Sequence, residues 1–122
     1  NRLNDTSWLT PAVYAACLQP AGTANTWVAE IDGVTAGFST ARIAERDIWA
    51  LFVDPAHEGR GIGRALLERA VGWLFERGLD EVVLSTGPGT RADAFYGRSG
   101  WRRGETLENG DVRYRLARPA TH

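Results

Sequence analysis

The stretch IWALFVDPAHEGRGIGRALL, residues 48–67, decides how this chain folds. It opens with an almost unbroken apolar run, Ile48–Val53, which is typical of a central strand covered on both faces. A short loop with three alternating glycines follows, and the apolar residues after it recur at helical spacing as far as Phe75. Gly78 then stands where a helix C-cap is expected. The stretch therefore predicts a strand, a glycine loop and an amphipathic helix.

The glycine loop has the composition of an anion-binding site. The first N–H groups of a helix lack intrahelical partners, and the helix dipole favours negative charge at that end. Gly59, Gly61 and Gly63 let the backbone adopt positive φ and approach a ligand closely. Arg60 and Arg64 add positive charge at the same place. This arrangement suits the pyrophosphate of a nucleotide-like cofactor, although the glycines alone are equally compatible with an ordinary strand–helix turn.

Two common phosphate-binding patterns do not match. Arg64 and Leu66 occupy the positions where the dinucleotide pattern G-x-G-x-x-G needs its third glycine, and the chain has no lysine for an NTPase phosphate loop. The pattern that remains is R/Q-x-x-G-x-G, with Glu58 in its first position and Gly63 in its last. This segment resembles the cofactor loop of the GNAT superfamily of acyl-CoA-dependent N-acyltransferases.

A second segment, Ala92–Trp101, resembles the A-x-x-F/L-Y-x-x-x-G-F/W segment of the same family. The resemblance implies that Tyr96 is a general acid, which protonates the thiolate that leaves when an amine attacks a thioester. A phenol with a pKa near ~10 remains protonated at neutral pH and can donate in this way. The alternative is that Tyr96, next to Phe95 on an amphipathic helix, is a core aromatic residue.

The resemblance also implies a coenzyme-binding site along the strand and the loop. A pantetheine arm would hydrogen-bond the exposed backbone of the central strand, and a backbone N–H near Val53 would polarise the thioester carbonyl. The implied coenzyme-binding residues are Leu51, Phe52, Val53, Glu58, Gly59, Arg60, Gly61, Ile62, Gly63, Arg64 and Arg91.

The chain departs from the family pattern in three places. Glu58 replaces the usual Gln or Arg, and we expect its carboxylate to point away from the pyrophosphate. Gly89 replaces a frequent Asn, and Arg91 either compensates by contacting the cofactor or remains in solvent. The central strand lacks the Glu that often acts as general base. Glu45 and Asp47 lie nearby, but neither is assigned that role.

The remaining sequence predicts the order of elements in the family fold. Thr10-Pro11 favours the start of a helix that extends to about Leu18. Turn signals and apolar patterns predict the other elements. These are a hairpin of Thr26–Ile31 and Val34–Arg42 around Asp32-Gly33, a strand at Val82–Leu84, a helix at Arg91–Ser99, and a hairpin of Trp101–Thr106 and Val112–Leu116 around Asn109-Gly110. The predicted fold class is α/β (α+β), a mixed, mostly antiparallel sheet with a central splayed parallel strand pair, flanked by helices.

Composition sets the remaining limits. A chain of 122 residues predicts a single domain over 1–122, in which the N-terminal part of the family fold is short or truncated, since residue 1 is not Met. The formal net charge of −1 argues against nucleic-acid or anionic-membrane partners. The single Cys17 cannot form an internal disulfide and is compatible with a cytoplasmic location. His57-Glu58 has no second histidine at metal-site spacing, so no metal is expected.

Together these features predict an N-acetyltransferase that moves an acetyl group from acetyl-CoA to a primary amine on a small molecule or peptide, by direct attack. A homodimer is an open expectation of the resemblance. The alternative is a non-catalytic acyl-CoA-binding sensor or scaffold domain, which the short N-terminus and the missing strand glutamate favour. Trp27 and Trp49 either belong to the core or line an aromatic acceptor pocket.

Overall fold

The computed structural model describes the backbone of residues 9–12 and the whole of residues 23–119. Its strands are β1 Leu9–Ala12, β2 Ala24–Ile31, β3 Val34–Arg42, β4 Asp47–Val53, β5 Glu81–Thr86, β6 Arg102–Thr106 and β7 Val112–Ala117. Its helices are α1 Ile62–Glu76 and α2 Arg91–Arg98, with a single 3-10 turn at Pro55–His57. Cys17 lies outside the described residues.

The strands form one sheet in the order β1-β2-β3-β4-β5-β7-β6. Every neighbouring pair is antiparallel except β4 and β5, which are parallel. The mixed, mostly antiparallel sheet with a parallel pair at its centre is confirmed. The hairpin at Asp32-Gly33 is also confirmed, because both residues have positive φ, at 52° and 78°, as a type I′ turn requires.

The prediction of a helix that begins at Thr10 is wrong for residues 9–12, the part of that region that the structure describes. Residues Leu9–Ala12 form strand β1, which pairs antiparallel with β2, with Pro11 opposite Trp27. Thr10-Pro11 is a good local helix start, but pairing with a long neighbouring strand outweighs local propensity. Since β1 has β2 as its neighbour and lies at the edge of the sheet, the missing N–H of Pro11 is tolerated there. The rest of the predicted helix lies outside the described residues.

Strand β4 carries an irregularity that opens the sheet. Thr40 pairs with Ala50 while Ala41 pairs with Ile48, so Trp49 is an extra residue, a β-bulge. On its other side, β4 pairs with β5 at Asp47 and Val83, and no further pair joins these two strands within the described residues. The two parallel strands therefore diverge beyond that point, as the resemblance predicted.

The prediction that Ile48–Val53 is covered on both faces is wrong in part. Ile48 is buried, but Trp49 is 52% exposed and Phe52 is 48% exposed. The apolar run fits a central strand by composition, but the bulge and the gap beside β5 leave one face of β4 open. The run is therefore apolar without being enclosed.

Helix α1 supplies most of the core. Seven of its residues are buried, and Leu66 and Leu74 have no exposed surface. Burying each such leucine contributes about 1.5–3 kcal/mol. The helix packs closely on β3, because a Cβ at Gly37 would lie 2.5 Å from the Phe52 carbonyl oxygen and 3.1 Å from Leu66 Cδ1. The Ser39 hydroxyl, also buried, donates to the Leu66 carbonyl at 3.0 Å.

Helix α2 and the terminal hairpin close the other end of the sheet. Tyr96 on α2 packs its ring 5.9 Å from Trp101 and 5.7 Å from Tyr114, and all three are buried. The helix spans Arg91–Arg98, one residue shorter than predicted. Strand β6 forms the outer edge of the sheet, all five of its residues are exposed, and its pairing with β7 is irregular between Arg103 and Thr106.

Candidate active site

The glycine loop has the geometry of an open helix N-terminus. After the 3-10 turn, Gly59 and Gly61 take φ of 81° and 78°, values that side-chain-bearing residues rarely adopt. Gly61 is the N-cap residue of α1 and makes no side-chain cap hydrogen bond. The first-turn N–H groups of α1 therefore have no capping side chain and can be satisfied by a bound anion.

This loop forms one end of a groove of about 550 Å³. The predicted coenzyme-binding residues lie along it, with the exception of Arg60, and so does Tyr96. The lining residues are Leu51, Phe52, Val53, His57, Glu58, Gly59, Gly61, Ile62, Gly63, Arg64, Arg91, Ala92, Phe95, Tyr96 and Arg98. The structure thus brings two sequence segments some 30 residues apart into one cleft, beside the gap between β4 and β5.

The two arginines of the loop differ in position. Arg64 lines the groove, whereas Arg60 is exposed and stands outside its lining. Arg64 Nε also lies 3.1 Å from Glu68 Oε1, the i,i+4 pair that the helical pattern predicts. Both side chains of this pair are largely in solvent, so the ion pair is weak and Arg64 can exchange its partner.

Glu58 and Arg91 form an ion pair across the groove. Arg91 Nη1 donates to Glu58 Oε2 at 2.5 Å, and this pair joins the glycine loop to the first residue of α2. Both residues line the groove, and Arg91 compensates the charge of the Glu58 carboxylate there. Arg91 is 87% exposed and pairs with Glu58 rather than remaining free in solvent.

Tyr96 belongs to the core and to the groove at once. The residue is 6% exposed, and its ring packs against Phe95 at 5.3 Å as well as against Trp101 and Tyr114. Burial raises the pKa of the Tyr96 phenol to about 12, because the charged phenolate is poorly solvated there. The phenol is therefore protonated throughout the neutral range.

Sequence reasoning missed several residues of this region. Ala92, Phe95 and Arg98 line the groove, and their helical spacing around Tyr96 was the available signal. His57 also lines it, with a buried Nδ1 that has no hydrogen-bond partner. Of the two tryptophans with alternative interpretations, Trp27 is buried against Trp73 with ring centroids 5.8 Å apart.

A polar cluster centred on Asp93 was also missed. The Tyr114 hydroxyl lies 2.5 Å from Asp93 Oδ1 and 2.9 Å from the Asp93 carbonyl oxygen. Arg103 donates from Nε and Nη2 to the two carboxylate oxygens at 3.2 and 3.3 Å. Arg103, on the exposed outer strand β6, is therefore paired with Asp93. Hydrogen bonds from Arg103, Tyr114 and the Gly89 N–H hold the pKa of Asp93 well below its usual range.

The N-terminus of α2 is closed by side chains. Thr90 Oγ1 accepts a hydrogen bond from the Asp93 N–H at 3.1 Å and donates to the Gly87 carbonyl at 2.7 Å. Asp93 Oδ2 accepts from the Gly89 N–H at 2.9 Å. The loop before α2 is therefore tied to the first turn of the helix by its own residues.

Residues 23–119 contain neither a metal-binding cluster nor a membrane-spanning helix. No group of three or more His, Cys, Asp or Glu residues lies close enough together there to hold a metal ion. No helix in that part of the chain is both long enough and apolar enough to cross a membrane.

Comparison with known proteins identifies the relatives of this chain. The family model of the acetyltransferase (GNAT) family matches residues 3–101 of this chain. A mycothiol acetyltransferase from Propionibacterium freudenreichii subsp. shermanii is 33% identical over 97 residues, which are 74% of this chain and 30% of that protein. The chain thus spans under a third of the length of this curated relative.

Solved structures share the fold. PaiA N-acetyltransferase from Thermoplasma acidophilum, in complex with coenzyme A, aligns with a TM-score of 0.71 at 20% identity, over 79% of this chain and 62% of that one. Nourseothricin acetyltransferase aligns with a TM-score of 0.69 at 26% identity, over 80% of this chain and 67% of that one.

Proposed function

This chain belongs to the acetyltransferase (GNAT) family, and we propose that it moves an acetyl group from acetyl-CoA to a primary amine by direct attack in a ternary complex. The observation that carries the proposal is the uncapped N-terminus of α1, which opens into a groove that also contains Tyr96. The anion site can hold the phosphates of the coenzyme, and the proton donor in the same cleft can protonate the sulfur that leaves when an amine attacks the thioester. The names of the relatives support the same reaction class.

The groove supports binding of the coenzyme along its whole length. The pyrophosphate lies at the first turn of α1, where Gly61 leaves backbone N–H groups uncapped and Arg64 supplies a positive charge. The pantetheine arm lies against the free edge of β4. Since the Asp54 N–H points to β3 and donates to the Ala36 carbonyl at 2.8 Å, the N–H of Val53 points the other way, into the gap.

The chemistry then follows from two positions. The amine nitrogen attacks the thioester carbonyl carbon, whose oxygen accepts a hydrogen bond from the Val53 N–H as negative charge develops on it. The C–S bond breaks, the sulfur leaves with the bonding electrons, and Tyr96 donates its phenolic proton to that sulfur. Because burial raises the pKa of Tyr96 to about 12, the donor remains protonated at every pH at which the protein would be assayed. Water takes the proton that the amine loses, and the Tyr96 phenolate regains a proton from water before the next turnover.

The test is release of free thiol from acetyl-CoA in the presence of a panel of amines, amino acids, polyamines, peptides and the unacetylated form of mycothiol. The last is included because a relative is named as a mycothiol acetyltransferase. We expect turnover with at least one amine. For Tyr96→Phe we expect kcat to fall by on the order of 10²–10⁴ with coenzyme affinity and Tm nearly unchanged, since the ring is retained.

Two outcomes contradict this proposal in different ways. If calorimetry detects coenzyme A binding but no amine releases thiol, the chain is the non-catalytic acyl-CoA-binding domain of the alternative hypothesis. If the Tyr96→Phe protein is stable and turns over normally, Tyr96 is a core aromatic residue and the proton comes from water. A cytoplasmic location, inferred from the single cysteine, and a homodimer remain predictions.

A further inference from the structure

Tyr114 is buried, but its hydroxyl is not used by the reaction described above. The residue is 1% exposed, and its hydroxyl is directed at Asp93, at 2.5 Å from Oδ1. The Asp93 side chain is itself only 13% exposed and has Arg103 on its other side. A hydroxyl and a carboxylate are thus held together beneath the surface of α2, where apolar residues would pack as well without any polar partner.

The position of this pair relates it to Tyr96. Asp93 lies three residues before Tyr96 on α2, so the two residues occupy neighbouring positions on one face of the helix. The Tyr114 ring lies 5.7 Å from the Tyr96 ring, with 49° between their planes. Tyr114 therefore contacts α2 twice, through its hydroxyl at Asp93 and through its ring at Tyr96. These two contacts join α2 to β7 on the face of the helix that carries Tyr96.

We propose that Tyr114 and Asp93 are positioning residues for Tyr96, and that the hydrogen bond between them holds the Tyr96 hydroxyl at the thioester sulfur. This inference rests on the proposed function, in which Tyr96 is the proton donor. The Tyr96 hydroxyl has no hydrogen-bond partner among the described residues, so its orientation depends on the packing of the ring and on the placement of its helix. Misplacing a donor by about 1 Å lowers the rate of proton transfer steeply.

The Gly89 contact extends the same effect to the loop before α2. Asp93 Oδ2 accepts from the Gly89 N–H at 2.9 Å, which fixes the turn that leads into Arg91 and the groove. Arg103 balances the charge of the carboxylate and anchors it to β6. The Asp93 carboxylate therefore joins helix α2 to both strands of the terminal hairpin, about one turn away from the proposed proton donor.

The test combines Tyr114→Phe with Tyr96→Phe, using acetyl-CoA and the amine that gives the fastest thiol release. Tyr114→Phe keeps the ring and removes only the hydroxyl, and we expect kcat to fall on the order of tenfold while KM for acetyl-CoA is unchanged. In the Tyr96→Phe background, adding Tyr114→Phe should lower kcat no further, because the group being positioned is gone. Asp93→Asn should behave as Tyr114→Phe does.

Glu105→Gln is the matched control. It removes a carboxylate that binds Arg115 at 2.7 Å on the same hairpin, away from Tyr96, and should leave kcat within about twofold of the parent value. Normal kcat in Tyr114→Phe overturns the inference, and so does an equal loss in both backgrounds. If Asp93→Asn fails to fold, Tyr114→Phe decides. A normal kcat in Tyr96→Phe alone instead overturns the proton-donor role that the proposed function gives Tyr96, so the two failures are distinguishable.

Discussion

The molecule contains two strand–loop–helix units that meet at one groove, β4 with α1 and β5 with α2, and their helices begin in opposite ways. Helix α1 begins at a glycine with φ of 78° that offers no side-chain cap. Helix α2 begins at Thr90, which caps it, and Asp93 accepts a further hydrogen bond from the loop. Capped and uncapped helix N-termini are both common, but here one of each lies at the same groove.

The difference separates binding from positioning. An uncapped N-terminus leaves backbone donors and the positive end of the dipole available to an anion. A capped N-terminus has used those donors internally, and what it presents to the groove is a set of side chains in fixed places. The coenzyme phosphates are therefore expected at α1, and the side chain that donates a proton at α2.

A side-chain cap at the N-terminus of α1 should have the largest effect on coenzyme A binding. Gly61→Asp would place a carboxylate at the N-cap of α1, where it would bond the free N–H groups itself and repel a phosphate. We expect coenzyme A affinity, measured by calorimetry, to fall by at least on the order of 100-fold. Gly61→Ala is the control, because it carries the same positive-φ strain without charge. Equal losses in the two variants would show that backbone strain, and not the anion site, is responsible.

Arg60 in the glycine loop and Arg64 at the start of α1 should differ in how much they contribute to coenzyme binding. Arg64 lines the groove, and Arg64→Ala should weaken coenzyme binding by about 1–3 kcal/mol, the scale of a hydrogen bond to a charged group. Arg60 is exposed and outside the groove lining, so Arg60→Ala serves as the control and should change the affinity little. The loss in Arg64→Ala should disappear with acetyl-pantetheine, which lacks the phosphates. A larger effect of Arg60→Ala would reverse this assignment.

The contribution of Asp93, in the capped helix α2, to the free energy of unfolding should decrease at acid pH. The folded pKa of Asp93 is depressed, first by Arg103 and then by Tyr114 and Gly89, below the value near ~4 of an unfolded aspartate. The stabilisation is therefore complete above about pH 5 and is lost as the pH falls through the region below ~4. Asp93→Asn should flatten the dependence of the free energy of unfolding on pH in this window, as followed by urea denaturation. An unchanged slope would contradict the assigned contacts.

The smallest change in coenzyme affinity is expected from the Glu58–Arg91 ion pair, which joins the two strand–loop–helix units. Glu58→Gln removes the carboxylate that occupies Arg91, leaving the guanidinium free to contact a phosphate. Because the pair is largely exposed, we expect coenzyme affinity to rise by only about 0.5 kcal/mol. The gain should vanish when Arg91→Ala is added. A loss of affinity in Glu58→Gln would mean that Glu58 supports the loop.

Local patterns predicted those parts of the fold that depend on neighbouring residues in sequence. The span of β3, the spacing of α1 and the turn at Asp32-Gly33 follow from periodicity and turn chemistry, and each is confirmed. The helix predicted from Thr10 fails because its capping signals are local, whereas β1 is selected by pairing with β2, some 16 residues away. Trp49 is exposed because a bulge, which hydropathy does not encode, opens β4.

The candidate site divides in the same way. The glycine loop and Tyr96 carry recognisable motifs, so the groove was predicted in outline. The Glu58–Arg91 and Asp93–Tyr114 contacts join residues 33 and 21 positions apart. Each of these residues taken singly is an ordinary polar residue at a helix end or on a strand, and the fold alone makes them partners.

The outer strand β6 has a consequence for how this chain meets other copies of itself. An edge strand normally presents unpaired backbone groups that can recruit a strand from another molecule, which is the first step of aggregation. Here the edge carries Arg102, Arg103 and Glu105, is exposed along its whole length and is interrupted in its pairing with β7. Charge and irregular register both oppose strand addition at this edge. Extension of the sheet into a second copy is therefore disfavoured at β6.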